Sequence, residues 1–214
     1  MKDIDQILAD NLNRNVLIDD EWRKSLLLRA LEFAIKVHGN QIRKGDGKPY
    51  IVHPIGVALI VAKVIPNDFV IAAALLHDTV EDTDTTLKDI QVKFNNTIAK
   101  IVEDVTEKDK NCPWKQRKLE AIAHIKNMDE WSLIVKSADK LHNLKSLYAL
   151  LLEKGEEAMG KFNAPLKEQL EMDHLLYEAL ESKWSKNPLL HELKETIEDI
   201  EKTKKRQDLV KGSK

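Results

Sequence analysis

Between Ala72 and Asp84 an apolar run, Ala72-Ala73-Ala74-Leu75-Leu76, turns abruptly into one imidazole and four carboxylates: His77, Asp78, Glu81, Asp82 and Asp84. No Lys or Arg lies between Lys63 and Lys88 to neutralise them. Carboxylates crowded in this way repel one another, and a divalent cation relieves the repulsion. On a helix, residues four apart share a face, which places His77 over Glu81 and Asp78 over Asp82. Imidazole with carboxylate oxygens suits Mn²⁺, Fe²⁺ or Zn²⁺, and no thiolate is present to favour Zn²⁺. The plainer alternative is a solvated acidic helix end.

Two distant segments bear on that choice. His53 stands directly before Pro54, whose fixed backbone torsion can aim the imidazole. In Lys136-Ser137-Ala138-Asp139-Lys140-Leu141-His142-Asn143, Asp139 and Asn143 are one helical turn apart, on a helix whose other face is Leu133, Ile134, Leu141 and Leu144.

His53, then His77-Asp78, then Asp139 is similar to the ligand set of HD-superfamily phosphohydrolases. More narrowly, the chain resembles the hydrolase domain of RelA/SpoT proteins and the stand-alone small alarmone hydrolases. The resemblance is carried by the Arg43-Lys44 loop, Pro49-Tyr50-Ile51-Val52-His53-Pro54, the segment Leu75 to Thr83, and Ala138 to Asn143. It covers about Leu26 to Leu150. It implies an all-α, HD-domain helical bundle holding one divalent metal, typically Mn²⁺, on His53, His77, Asp78 and Asp139. Glu81 and Asp82 would then act on water, with Arg43, Lys44, Tyr50, Lys140 and Asn143 against a phosphorylated nucleotide. The implied reaction is 3′-pyrophosphohydrolysis of (p)ppGpp to GDP or GTP, without a covalent intermediate.

Plainer readings stand beside these. Arg43 and Lys44 could be surface loop cations, Tyr50 a packing aromatic and His142 a pocket wall. An HD hydrolase of a different phosphorylated nucleotide, or a non-catalytic nucleotide-binding HD module, stays open. The loop Gly45-Asp46-Gly47-Lys48 reads one residue longer than in many long family members. No stretch remains for a synthetase domain, and the region after Leu150 matches the family only loosely.

The elements that must position these groups read as helices, because apolar residues recur at helical spacing and only seven glycines and six prolines interrupt them. A stripe of Leu27, Leu31, Ala34 and His38 predicts a helix from about Asp20 to Gly39, with His38 a hydrogen-bonded structural residue. A Gly-rich basic loop, Gln41 to Tyr50, follows. His53-Pro54 opens a helix through about Lys63, and Pro66 opens another reaching the region of Glu81. Thr86-Leu87-Lys88-Asp89 reads as a capped start, Asn96 to about Thr106 as a helix. Pro113 opens one through Lys126, and Asp129 caps a long one through Leu152. Lys161–Ser185 and Pro188 to about Lys205 are expected as a peripheral C-terminal helical layer. Residues 1–203 are thus expected to form a single HD-type domain, and residues 204–214 a flexible, solvated basic tail.

With 34 basic and 36 acidic residues, no global charge draws the chain to nucleic acid or an anionic membrane. The single cysteine, Cys112, excludes an intrachain disulfide and fits a reducing cytoplasm. No apolar stretch approaches the length of a membrane span. His124, His174 and His191 fall outside every motif. Oligomeric state is left open.

Overall fold

The computed structural model describes residues 25–107 and 112–212. The region around Asp20, where the first helix is expected to begin, lies outside them. Helix α1 (Leu26–His38) starts at Ser25, whose side chain accepts from the Leu28 amide, and buries Ala30, Ala34 and His38. The basic loop closes as a tight hairpin with an isolated bridge between Ile42 and Pro49. Arg43 N–H donates to Lys48 O at 2.9 Å and Tyr50 N–H to Gln41 O at 2.8 Å. Gly47 takes φ 73°, which a Cβ would disfavour.

Helix α2 (Val52–Val64) has Pro54 in its first turn, where no amide hydrogen is required. Helix α3 (Asp68–Leu76) is capped by Asn67, which accepts from the Phe69 and Val70 amides. It does not run on to Glu81 as expected. His77 Nδ1 donates to Ala74 O and Thr79 Oγ1 to Leu76 O, so side chains take carbonyls that continued helix would use. The chain turns at His77-Asp78 and resumes as the short α4 (Thr79–Asp82).

Helix α5 (Leu87–Lys93) has a complete Thr86/Asp89 capping box, and α6 (Asn96–Val105) is capped by Asn95. Helix α7 (Trp114–His124) tightens into a 3₁₀ turn, Ile125–Asn127, where an α-helix through Lys126 is expected. Helix α8 (Glu130–Lys154) is capped by Asp129 and is followed by a 3₁₀ segment, Gly155–Lys161. Helix α9 (Leu166–Lys183) begins only after Pro165, and α10 (Leu190–Gly212) ends the described chain.

Beyond its first two residues, the exposed Asp68 and Phe69, helix α3 is apolar on every side and lies inside the bundle, with α1, α2, α6 and α8 packed around it. Ala72, Ala73 and Ala74 are all fully inaccessible, and their small size lets the neighbouring helices approach. The other face of α8 packs on α10, and α10 on α9. One core of buried residues runs from Ala30 through Leu141 to Ile200.

The C-terminal helices are therefore less peripheral than the sequence suggests. Leu176, Leu180, Leu193, Ile197 and Ile200 belong to the same core, and buried Asn187 donates to Ser137 Oγ of α8 at 2.8 Å. The expected tail from Lys204 continues α10 instead, and Gln207 Nε2 donates to Leu151 O at 3.0 Å. Among the described residues, no helix is long and apolar enough to cross a membrane.

Candidate metal centre

Three donor groups, of His53, His77 and Asp139, converge from three elements, and Asp78 stands beside the two histidines. His53 comes from the first turn of α2, His77 and Asp78 from the break between α3 and α4, and Asp139 from the middle of α8. His53 Nε2 lies 3.2 Å from Asp139 Oδ1 and 3.4 Å from Asp78 Oδ2. His77 Nε2 lies 3.2 Å from Asp78 Oδ1, 3.7 Å from Asp139 Oδ1 and 3.2 Å from His53 Nε2. Donor atoms of His53, His77 and Asp139 all fall within 4.8 Å of one another.

These spacings fit a divalent cation, because adjacent donors about 2.1 Å from one ion stand about 3 Å apart. The tautomers fit as well. His77 Nδ1 faces a carbonyl that can only accept, so its proton sits there and the Nε2 lone pair is directed at the cluster. Burial works against charge on both histidines, but Asp139 and Asp78 outweigh it and raise His53, and raise His77 well above the usual range. Burial likewise opposes ionisation of Asp78 and Asp139, yet the two imidazoles hold both carboxyls well below theirs.

The remaining sequence-derived candidates line the cavity into which this cluster opens, a volume of about 580 Å³. Glu81 accepts from the Glu107 amide at 3.0 Å, and burial together with Asp78 pushes its carboxyl up to about 7. Asp82 is held at its side chain by Tyr50 and at its carbonyl by Gln41 Nε2, 2.8 Å away. Gln41 in turn accepts from His38 Nδ1 at 2.9 Å, so His38 is the hydrogen-bonded structural residue expected.

Several residues expected to touch substrate line the cavity and also bond within the protein. The Tyr50 hydroxyl lies 2.7 Å from both Asp78 Oδ2 and Asp82 Oδ2. Lys140 Nζ pairs with Asp173 of α9. Asn143 donates to Asp139 Oδ1 at 2.7 Å and accepts from Arg43 Nη2 at 3.2 Å. Lys44 is exposed at the rim. His142 is not among the converging donors; burial, His53 and Arg43 depress it to about 4.

Other lining residues escaped the sequence reading. Glu107 pairs with Lys118, and Lys136 donates to Val105 O at 3.3 Å. Met172, Asp173 and Leu176 of α9 form a wall outside the motif region. Only Lys136 left a signal, a cation directly after Leu133-Ile134-Val135.

A helical bundle whose break and two neighbouring helices gather His53, His77 and Asp139 within 4.8 Å of one another, with Asp78 beside the histidines, defines the class. The chain belongs to the HD domain family, whose family model matches residues 30–161. It is 45% identical over 126 residues to the guanosine-3′,5′-bis(diphosphate) 3′-pyrophosphohydrolase MESH1 of Danio rerio, covering 58% of this chain and 69% of that protein. It is 40% identical over 149 residues to a guanosine-3′,5′-bis(diphosphate) 3′-pyrophosphohydrolase of Aquifex aeolicus, covering 66% of this chain and 21% of that one. The solved structure of a metazoan ortholog of SpoT that hydrolyses ppGpp is similar with a TM-score of 0.68 at 27% identity, covering 81% of this chain and 94% of that one.

Proposed function

We propose that this protein is a metal-dependent guanosine-3′,5′-bis(diphosphate) 3′-pyrophosphohydrolase of the cytoplasm, turning (p)ppGpp into GDP or GTP and pyrophosphate. The observation that carries this is the opening of the His53, His77, Asp78 and Asp139 cluster into a nucleotide-sized cavity of about 580 Å³, in a chain 45% identical to a protein of that name. Those four residues hold the cation, for which we favour Mn²⁺ because the donors are imidazole and carboxylate.

When bound, the cation neutralises a phosphoryl oxygen and lowers the pKa of water. Glu81, poised near neutrality, accepts the proton of the attacking water. Asp82, clamped by Tyr50 and Gln41, orients that water. The water oxygen bonds to the phosphorus carried on the 3′ oxygen, the bond from that phosphorus to the 3′ oxygen breaks, and the 3′ oxygen takes up the proton lost by the water and leaves as a hydroxyl. Arg43 lies beside the nucleotide, Lys44 reaches its phosphates from the rim, and Lys118, Lys136 and Lys140 line the inner wall and offset polyphosphate charge.

The test is a nucleotide panel with Mn²⁺-loaded protein, detecting pyrophosphate and phosphate separately. Pyrophosphate release from ppGpp is expected. Intact ppGpp alongside turnover of another phosphorylated nucleotide would move the activity to that substrate, and no turnover at all would leave a nucleotide-binding module.

A further inference from the structure

We propose that His142 is a positioning residue, which fixes the metal-binding tautomer of His53 and couples it to Arg43. The proposal rests on His53 being a metal ligand.

His53 Nδ1 and His142 Nδ1 lie 2.8 Å apart, so one of them must donate and the other accept. Arg43 Nη1, 3.4 Å from the same His142 nitrogen, has only protons to offer. His142 Nδ1 is therefore the acceptor for both, and its own proton sits on Nε2. It follows that His53 carries its proton on Nδ1 and turns the Nε2 lone pair toward His77, Asp78 and Asp139. His77 reaches the same state through a backbone carbonyl. His53 lacks such a carbonyl bond and uses another side chain.

The place of the His142 ring is built into the opposite helix. Gly56 lies inside α2, where glycine costs about 1 kcal/mol relative to alanine. A Cβ there would stand 2.3 Å from both Cδ2 and Nε2 of His142, so the missing side chain is the space the ring fills. Ser146 Oγ bonds to the His142 carbonyl one turn on. The ring is thus held between α2 and α8 rather than free to turn in the cavity.

Arg43 is gripped by two adjacent residues of α8, each leading to a different ligand. One path runs through His142 to His53, the other through Asn143 to Asp139. A nucleotide that shifts Arg43 pulls on both.

The experiment measures Mn²⁺ affinity by competition with a chromophoric chelator in wild type, His53→Ala, His142→Phe and His142→Asn. Phenylalanine keeps a ring over Gly56 but has no acceptor; asparagine places an oxygen where Nδ1 was. His142→Phe is expected to lose about 10–100-fold in affinity, the usual effect of removing a ligand's hydrogen-bond partner, and His142→Asn to recover most of it. Wild-type affinity in His142→Phe, with binding lost in His53→Ala, overturns the positioning role alone. Wild-type affinity in His53→Ala overturns the metal assignment beneath it. Long-range ¹H–¹⁵N spectra of the Zn²⁺-loaded wild type test the same point without a substitution: an unprotonated His142 Nδ1 beside a protonated His53 Nδ1 is expected, and the reverse pattern overturns it.

Discussion

Nζ of Lys140 lies 2.5 Å from Oδ1 of Asp173, tying the helix that carries Asp139 to helix α9. Asp173 is almost wholly buried and Lys140 only partly exposed. This pair joins the motif-bearing region to the C-terminal wall of the cavity. Burial opposes the Lys140 charge, but Asp173 outweighs it and raises the pKa above 10.5. A raised lysine contributes stability that is full below its unfolded value and lost only as pH climbs past the folded one, so the pair persists throughout the neutral range.

Asp173→Ala leaves Lys140 without its partner in a largely enclosed site. The expected loss of stability is about 3 kcal/mol, the lower end for a broken buried pair because Lys140 keeps some solvent contact. Urea unfolding should show a lower midpoint with an unchanged slope. An unchanged midpoint would mean that Lys140 finds another partner.

Tyr50→Phe separates two roles for that side chain. Its hydroxyl sits between Asp78 and Asp82, and both carboxylates and burial keep it un-ionised. Losing a hydrogen bond to charged groups is worth about 1.5–3 kcal/mol, so kcat should fall about tenfold or more while KM changes little. A raised KM with normal kcat would instead favour a direct substrate contact.

Glu81→Gln should trade activity for stability. The Glu81 carboxyl is raised from 4.5 to about 7, so the folded state prefers its proton. That preference stabilises fully below 4.5 and disappears as pH rises to about 7, above which ionised Glu81 destabilises metal-free protein by about 3 kcal/mol at 1.36 kcal/mol per unit. The glutamine variant stays neutral. Without metal it should therefore melt higher than wild type at pH 8, with the difference shrinking toward pH 5. It should retain Mn²⁺ and lose turnover.

Metal binding should release protons. Both imidazoles hold protons beyond the ordinary histidine range when no cation is present, and a ligand nitrogen must give its proton up. Mn²⁺ affinity should consequently climb with pH through and above 6.5. Calorimetry in buffers of different ionisation enthalpy would show the release as a buffer-dependent heat. Asp78→Ala should weaken binding sharply and abolish the rise in melting temperature that saturating metal provides; unchanged metal content would contradict its place among the ligands.

The donor set is legible in the sequence because its members need particular chemistry at particular spacings: His77-Asp78 after an apolar run, Glu81 and Asp82 a turn later, His53 before a proline. What escapes a sequence reading lies beyond sequence neighbourhood. Asp173 sits in an amphipathic, charged helix like any other, and nothing near it announces a partner 33 positions away. Gly56 looks like a weak point in a helix until the His142 ring is seen to occupy its missing side chain.

By itself, the sequence determined the helical class, the helix starts at Thr86, Pro113 and Asp129, and which residue types could hold a cation, since these depend on local backbone chemistry and on side-chain charge. Only the tertiary structure decided that α3 stops at Leu76, that the C-terminal helices share the core, and how the polar groups divide their hydrogen bonds. Tyr50, Lys140 and Asn143 have free-standing chemistry suited to a nucleotide. Packing also places carboxylates within 3 Å of each, and a half-buried donor takes the partner that geometry puts in reach.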